Sequence, residues 1–192
     1  MRQGDDELVW PIVRSVGAPA EFGVFRVERH VAAHPVTGAE GTFSVVRSRD
    51  WVNVIALTPA DAVVLIRQFR HGTRAVTVEI PGGIVEPGEG FVEAGRRELR
   101  EETGYEADRW VELGFVEPNP AIQDNRCATV LALDARPTGV TAFDPGELIA
   151  VETAPLGAIA GMCARGEIRH ALVVAAFFAL LNRAGGWRRP RG

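Results

Sequence analysis

The sequence contains no lysine: all 21 basic residues among its 192 positions are arginines. Catalysis through a lysine Schiff base and phosphate binding by a P-loop lysine are therefore excluded. The formal net charge of −4 gives no reason to expect nucleic-acid binding through bulk electrostatics. If the ligand is a phosphate ester, local arginines and metal ions must supply the positive charge.

Cysteine and long apolar segments are also scarce. Cys127 and Cys163 lie far apart without a CxxC motif or a matching histidine spacing, which predicts two partly buried thiols and neither a disulfide framework nor a zinc site. The longest nearly apolar run, residues 171–181, is much shorter than the about 20 residues of a membrane-spanning helix. The acidic residues 1–7 do not resemble a signal peptide, so we expect a cytoplasmic protein without membrane association.

The remaining composition is that of a folded protein. Apolar residues make up 46% of the chain and charged residues 24%, which is ordinary for soluble globular proteins. The length suits one well-buried domain, or a domain of about 140 residues with a smaller accessory unit.

The first 49 residues form an N-terminal β region. Residues 23–31 and 41–47 alternate apolar and polar positions, and the turn-rich residues 34–38 separate them, which predicts a β-hairpin or a small antiparallel sheet. Such a sheet is only marginally stable alone. It must therefore pack on the rest of the chain or on a second subunit.

A main domain over residues 50–184 follows, and residues 185–192 form a basic tail. Its strands are apolar on both faces, as in sheets covered on both sides, and residues 81–83 (Pro-Gly-Gly) predict a break after the third strand. The predicted strands cover residues 52–57, 62–66, 75–80, 110–116, 126–133 and 148–152, and the predicted helices cover residues 91–103, 156–164 and 170–181. The sum is a mixed α/β (α+β) sandwich with helices on both faces of a mixed sheet.

Three glutamates of the predicted helix 91–103 share one helical face. Glu98, Glu101 and Glu102 are spaced three and four residues apart, and like charges at this spacing disfavour an isolated helix. Such a face is either solvated or neutralised by cations. Hard divalent cations such as Mg²⁺ prefer carboxylate oxygens, water and phosphate oxygens, all of which this face can gather.

The surrounding residues favour the cation. Gly83 is followed six positions later by Glu89, then by Arg97-Glu98-Leu99-x-Glu101-Glu102-x-Gly104 and the bulky Tyr105. This pattern resembles the signature of the Nudix family, whose last position is more often aliphatic. The resemblance implies a Nudix α/β/α sandwich that hydrolyses pyrophosphates with Mg²⁺, or Mn²⁺ in its place.

The same resemblance assigns roles to individual residues. It makes Glu98, Glu101 and Glu102 metal ligands, joined by the carbonyl of Gly82, and it places Glu101 and Arg97 in the catalytic set, where Arg97 orients the carboxylates. Glu89 would fix the loop before the helix or bind a further metal. The general base is expected in a later loop, with Glu147 as the candidate and Asp144 as the reserve.

Two further motifs resemble the ADP-ribose pyrophosphatase branch. They are Arg67-Gln68-Phe69-Arg70 and Glu79-Ile80-Pro81-Gly82-Gly83, and the N-terminal β region is similar as well. Members of this branch are homodimers that exchange the N-terminal sheet. The resemblance implies cleavage of a nucleoside diphosphate sugar such as ADP-ribose; hydrolysis of GDP-mannose or another nucleotide sugar is the alternative, and a non-catalytic sensor is a third.

Substrate contacts are harder to assign. Arg67, Arg70 and Arg126 suit a clamp on phosphates or ribose, and each also suits an ordinary surface arginine. Glu79 either contacts substrate or forms a structural ion pair. The loop that begins at Asn119 either reads the sugar or base or is a simple turn. His170 begins an apolar helix and is interpreted as a packing or capping residue.

Overall fold

The computed structural model describes residues 5–139, 141 and 148–182. The chain divides into two compact units: residues up to 49 with residues 117–125 form the first unit, and residues 50–116 with those from 126 onward form the second. The predicted basic tail, residues 185–192, lies outside the described residues.

In the described residues the strands are β1 (Ile12–Ser15), β2 (Ala20–Glu21), β3 (Phe25–Ala33), β4 (Glu40–Ser48), β5 (Trp51–Leu57), β6 (Ala62–Arg70), β7 (Ala75–Glu79), β8 (Gly82–Ile84), β9 (Tyr105–Glu106), β10 (Arg109–Val116), β11 (Cys127–Leu133), β12 (Arg136–Pro137) and β13 (Ile149–Pro155). The α-helices are α1 (Phe91–Thr103), α2 (Ile159–Ala164) and α3 (Ala171–Leu181), and short 3-10 helices cover Asp5–Leu8 and Leu156–Ala158. No helix in this described part of the chain is long and apolar enough to cross a membrane.

The first unit is an antiparallel sheet centred on β3, which pairs with β1, β2 and β4. The predicted hairpin is confirmed, because β3 and β4 pair from Phe25 opposite Ser48 to Ala33 opposite Glu40. Segment 117–125 belongs to this unit, and the Ile122 carbonyl accepts a hydrogen bond of 2.7 Å from the Val46 N–H.

The second unit contains the predicted mixed sheet. Its strands run in the order β10-β11-β5-β6-β13, with β7 also paired to β6 and β8 to β5. β11 and β5 are parallel, whereas the other pairs are antiparallel. Every residue of β11 is buried, as expected for a strand covered on both faces.

Helices cover both faces of this sheet, as predicted. On one face, Val54 and Val130 pack with Leu99 of α1. On the other, Ile55 packs in a core that includes Phe177 of α3. Adjacent residues of β5 therefore point into different cores, as the alternation of side chains in a strand requires.

Helix α1 begins and ends where the sequence predicts. Gly104 follows Thr103 with a φ of 67°, a left-handed conformation that ends helices, and its N–H bonds the Arg100 carbonyl at 2.9 Å. The predicted break after the third strand is present, because β7 ends at Glu79 and Ile80 and Pro81 belong to no strand; Gly82–Ile84 then forms β8 antiparallel to β5, a short strand that the sequence did not predict. A Cβ at Gly82 would collide with the Val52 carbonyl, so the glycine permits this close pairing.

Candidate active site

Arg97 is the centre of an ionic network on α1. Its Nε and Nη2 donate to the two carboxylate oxygens of Glu89 at 2.9 and 3.0 Å, and Nη2 also donates to the Ile84 carbonyl at 2.9 Å. Its Nη1 lies 2.8 Å from Glu98 Oε1 and 3.3 Å from Glu101 Oε2. One guanidinium therefore ties the segment before the helix to two of the helix carboxylates, which is the orienting geometry predicted for Arg97.

The ion pair between Arg97 and Glu89 favours the charged form of both side chains. Hydrogen bonds from Arg97, joined by the backbone N–H of Glu86, hold the pKa of the Glu89 carboxyl below its ordinary value. In return, the hydrogen bond to Glu89, joined by that to Glu98, raises the pKa of Arg97. Glu89 thus fixes the loop before α1 through Arg97 and through the Glu86 N–H, which donates to it at 2.9 Å.

The carboxylates of Glu102 and Glu98 lie against the two glycines of β8. Glu102 is buried, and its Oε2 accepts a hydrogen bond of 2.9 Å from the Gly82 N–H. A Cβ at Gly83 would collide with the Glu98 carboxylate. The glycine pair therefore lets α1 present its acidic face at the backbone of β8.

This donor set fits a hard divalent cation in type and in charge. Three carboxylates within two turns of helix supply the oxygens that Mg²⁺ prefers, and Gly83 leaves open the space that a side chain would fill beside Glu98. Within the described residues, no three acidic, histidine or cysteine side chains are gathered into a preformed cation cage. A cation at this face would compete with Arg97 for Glu98 and Glu101.

A cavity of about 510 Å³ adjoins the same glycines. Gly82 and Gly83 are part of its wall, and the remaining wall comes mainly from β5, β7, the end of β6 with the segment after it, and residues 169–172, together with Cys127 of β11. Its polar wall residues include Asn53, Arg70, Thr77, Glu79, Arg169 and His170. The acidic face of α1 and the cavity thus meet at β8.

Arg70 and Glu79, both predicted substrate contacts, form an ion pair in this wall. Arg70 Nε and Nη2 bind the two oxygens of Glu79 at 2.8 and 2.7 Å, and Thr77 Oγ1 donates to Glu79 Oε1 at 2.5 Å. Burial raises the pKa of Glu79, but hydrogen bonds from Arg70 and Thr77 outweigh burial and leave the pKa lowered. The Glu79 side chain is 3% exposed and that of Arg70 42%, so the arginine alone can reach solvent or a ligand.

The other predicted site residues lie elsewhere. Arg67 is exposed on β6. Arg126 binds Asp50 Oδ2 at 2.6 Å, and its guanidinium lies over the rings of Phe91 and Phe115. Neither arginine lines the cavity. Asn119 belongs to the first unit, where its carbonyl accepts hydrogen bonds from the N–H groups of the next turn at 3.0 and 2.8 Å. The predicted bases Glu147 and Asp144 lie outside the described residues.

Sequence reasoning missed several residues of the cavity wall, among them Trp51, Asn53, Thr77 and His170. Asn53 carries a signal that was available, because it is the one polar residue in the otherwise apolar run 52–57. His170 occupies the N-cap position of α3, but its side chain makes no capping hydrogen bond. Its contribution to the cavity depends on tertiary structure and has no local signature.

Both cysteines are free thiols, as predicted. Burial, with a smaller contribution from the charge of Asp50, raises the pKa of Cys127 to about 12, and burial also raises the pKa of Cys163. Cys127 lines the cavity as a protonated thiol at neutral pH, so it is a poor nucleophile there.

Comparison with known proteins agrees with this geometry. A model of the NUDIX domain matches residues 47–177. ADP compounds hydrolase NudE of Escherichia coli is 26% identical over 184 residues, covering 95% of each chain, and ADP-ribose pyrophosphatase of Mycobacterium tuberculosis is 26% identical over 88% of this chain and 82% of its own. A nudix hydrolase of Caenorhabditis elegans is 30% identical, and the chain spans only 55% of its length.

The fold has a solved counterpart. A crystal structure of an ADP compounds hydrolase superposes with a TM-score of 0.79 over 88% of this chain and 91% of its own, at 24% sequence identity. The mixed α/β fold predicted from the sequence is thereby confirmed. Because the NUDIX domain model covers more than half of its residues, the chain belongs to the Nudix hydrolase family.

Proposed function

We propose that this protein is a metal-dependent pyrophosphohydrolase that cleaves the diphosphate of a nucleoside diphosphate sugar, with ADP-ribose as the leading substrate, to a nucleoside monophosphate and a sugar phosphate. The main support is the meeting, at Gly82 and Gly83, of the acidic face of α1 with a cavity of about 510 Å³. Cavities of about 300–1,000 Å³ are typical of small-ligand sites. NudE and the mycobacterial pyrophosphatase carry names of this activity.

In this proposal the acidic face holds Mg²⁺, or Mn²⁺ in its place. Glu98, Glu101, Glu102 and the Gly82 carbonyl are the proposed ligands. When bound, such a cation supplies charge neutralisation at phosphoryl oxygens and activation of a water molecule. Arg97 keeps Glu98 and Glu101 aligned through its contacts of 2.8 and 3.3 Å, so that the carboxylates are already oriented.

Arg70 is the proposed phosphate contact in the cavity. Its guanidinium is held by the buried Glu79, which fixes its direction, and the Arg70 side chain is exposed enough to contact an anionic ligand. Glu79 in this role supports Arg70 and need not touch the substrate. Substrate binding by Arg67, Asn119 and Arg126 stays a prediction.

The general base also stays a prediction, with Glu147 preferred and Asp144 in reserve. The two are separable by Glu147→Gln and Asp144→Asn variants assayed at saturating substrate. We expect the variant of the true base to lose kcat by about 100-fold, and the other variant to keep it.

We also propose a homodimer built on the first unit. This unit exposes large apolar side chains that a second copy would cover: Ile12, Val13, Phe22, Val24 and Phe43. Light scattering of the purified protein tests this directly. A molecular mass of two chains is expected, and a monomer at micromolar concentration would contradict the proposal.

A substrate panel tests the proposed reaction. The nucleoside monophosphate formed would be measured by chromatography for ADP-ribose, GDP-mannose, other nucleotide sugars and nucleoside triphosphates, with Mg²⁺ and with EDTA. We expect Mg²⁺-dependent hydrolysis, fastest with ADP-ribose. Faster hydrolysis of GDP-mannose would favour the alternative substrate, and equal rates on both would contradict either narrow specificity.

A non-catalytic sensor is the least supported alternative. Glu98, Glu101 and Glu102 are all present, and Arg97 contacts two of them. Binding of ADP-ribose without hydrolysis in the presence of Mg²⁺ or Mn²⁺ would be the result that favours a sensor.

A further inference from the structure

Two buried side-chain nitrogens of the cavity residues have no hydrogen-bonding partner. Within the described residues the buried side-chain atoms without a partner are Asn53 Nδ2, His170 Nδ1 and Asn125 Oδ1. Asn125 belongs to the first unit, whereas Asn53 and His170 both line the cavity beside Gly82 and Gly83. Buried polar atoms are nearly always paired, and an unpaired one costs free energy. Two of them in one cavity wall indicate that a bound molecule completes them.

The surrounding structure gives Asn53 no other reason to be polar, whereas His170 also interacts electrostatically with the carboxylate of Glu79. Asn53 lies in β5 between the core residues Val52 and Val54, at a position opposite Gly82 of β8. An apolar residue would suit this strand at least as well. His170 stands at the N-cap of α3 without a side-chain capping hydrogen bond. Each unpaired polar group therefore destabilises the unliganded fold, and a bound ligand that forms the missing hydrogen bond removes this cost.

The chemistry of the two atoms defines what they bind. Asn53 Nδ2 is a donor, and His170 Nδ1 is an acceptor in the tautomer that carries its proton on Nε2. An ionised phosphate only accepts hydrogen bonds, so it completes the pair only in the other tautomer, with the proton on Nδ1. A hydroxyl both accepts and donates and completes the pair in either tautomer, and apolar wall residues such as Trp51, Ile80 and Leu172 suit the body of a neutral group that carries one.

We propose that Asn53 and His170 form a recognition pair for the uncharged part of the nucleotide sugar. The inference rests on the proposed function, because it takes the cavity as the substrate site. Two parts of the substrate share the required chemistry: a sugar hydroxyl, which both accepts and donates, and the hydrogen-bonding edge of the nucleobase. The pair is a specificity determinant and takes no part in bond cleavage.

The test uses variants that remove each polar atom and keep the volume, Asn53→Leu and His170→Phe, in the full chain with Mg²⁺. Isothermal titration calorimetry would measure binding of a methylene-bridged ADP-ribose analogue that cannot be cleaved. We expect each variant to weaken the dissociation constant about tenfold, as the loss of one hydrogen bond allows. We expect the melting temperature of the unliganded protein to stay equal or rise, because an unpaired buried atom is gone.

Thr129→Val is the matched control. Thr129 is buried on β11 at the position paired with Asn53, but it is not part of the cavity wall. Its variant should bind the analogue as tightly as the wild type does. A merely structural role of Asn53 and His170 would give the reverse of the expected pattern, a lower melting temperature with unchanged affinity, and would overturn the proposal.

Titrations with AMP and with ribose 5-phosphate show which part of the substrate the pair binds. Weaker binding of AMP alone assigns the pair to the nucleoside half of the substrate, and weaker binding of ribose 5-phosphate alone assigns it to the terminal sugar; either result supports the pair. Wild-type affinity of both variants for all three ligands overturns the pair and leaves the proposed function intact. A wild-type protein that binds none of the three ligands contradicts the proposed function and the pair together.

Discussion

The carboxylate of Glu98 lies so close to Gly83 that a Cβ at residue 83 would collide with it. Gly83 is therefore required by the position of a carboxylate fifteen residues later in the sequence. The same relationship links the cavity wall to the acidic face of α1, since Gly83 also lines the cavity.

Gly83→Ala is expected to displace the Glu98 carboxylate and reduce kcat. A misplacement of about 1 Å near a reacting centre lowers rates by up to about 100-fold, so we expect a loss between tenfold and 100-fold. Gly157→Ala is the control, because a Cβ there meets no atom within 4 Å. Steady-state assays would measure kcat for the two variants. Equal activity of both would show that Gly83 is not needed to position the Glu98 carboxylate.

Arg97→Lys is expected to reduce both activity and stability. A lysine cannot reproduce the contacts that Arg97 makes with Glu89, Glu98 and the Ile84 carbonyl. We expect kcat to fall roughly 10- to 100-fold and the free energy of unfolding to fall by about 1–2 kcal/mol, a modest value because the network is partly exposed. Arg100→Lys, on the exposed side of the same helix, should change neither quantity in urea melts and rate assays.

Glu79→Gln is expected to lower the free energy of unfolding in a pH-dependent way. Because the folded pKa of Glu79 lies below the ordinary value of 4.5, its ion pair with Arg70 stabilises the fold fully above that pH. The stabilisation is lost as the pH falls through the folded pKa. We expect a difference of about 1–3 kcal/mol at pH 7, reduced by the exposure of Arg70, and a smaller difference below pH 4.

Urea melts between about pH 3.5 and pH 7 would measure this difference. Glu106→Gln, which removes an exposed carboxylate, controls for the change in net charge. A destabilisation by Glu79→Gln that is the same at every pH would mean that the charge of Glu79 is unimportant.

The native protein is expected to react slowly with a thiol reagent at pH 8. The pKa of Cys127 is raised to about 12 and that of Cys163 is also raised, so little reactive thiolate is present. Ellman's reagent should titrate both cysteines only after denaturation. Rapid reaction of a native Cys163→Ser variant would show that Cys127 is accessible and its environment different from that described.

Much of the fold was predictable because it is encoded locally. Helix α1 has the predicted bounds, since apolar residues recur at the helical period and Gly104 ends the pattern. The β3–β4 hairpin follows from alternation and a turn-rich connection. By contrast, residues 81–83 were read as a break because glycine and proline disfavour strands, and only the pairing with Val52 and Asn53 makes β8.

The site was predictable only where its residues lie close together in sequence. Helical spacing places Glu98, Glu101 and Glu102 on one face, and the resemblance to the Nudix signature adds Arg97 and Glu89 to them. Arg126 is different: its partner Asp50 lies on a distant segment, and no local pattern indicates that pair. Asn53 and His170 likewise meet one cavity only through tertiary packing. Local patterns thus predict the reaction more readily than they predict the substrate.

The central claim is that the buried carboxylate of Glu102, which accepts the Gly82 N–H at 2.9 Å, serves metal-dependent hydrolysis of a nucleotide sugar. The most direct measurement is the rate of ADP-ribose hydrolysis with Mg²⁺ by the wild type, by Glu102→Gln and by Glu93→Gln, an exposed control on the same helix. We expect Glu102→Gln to lose about 100-fold or more in kcat, with its melting temperature retained, and Glu93→Gln to keep wild-type activity. Wild-type turnover by a folded Glu102→Gln variant would contradict the claim.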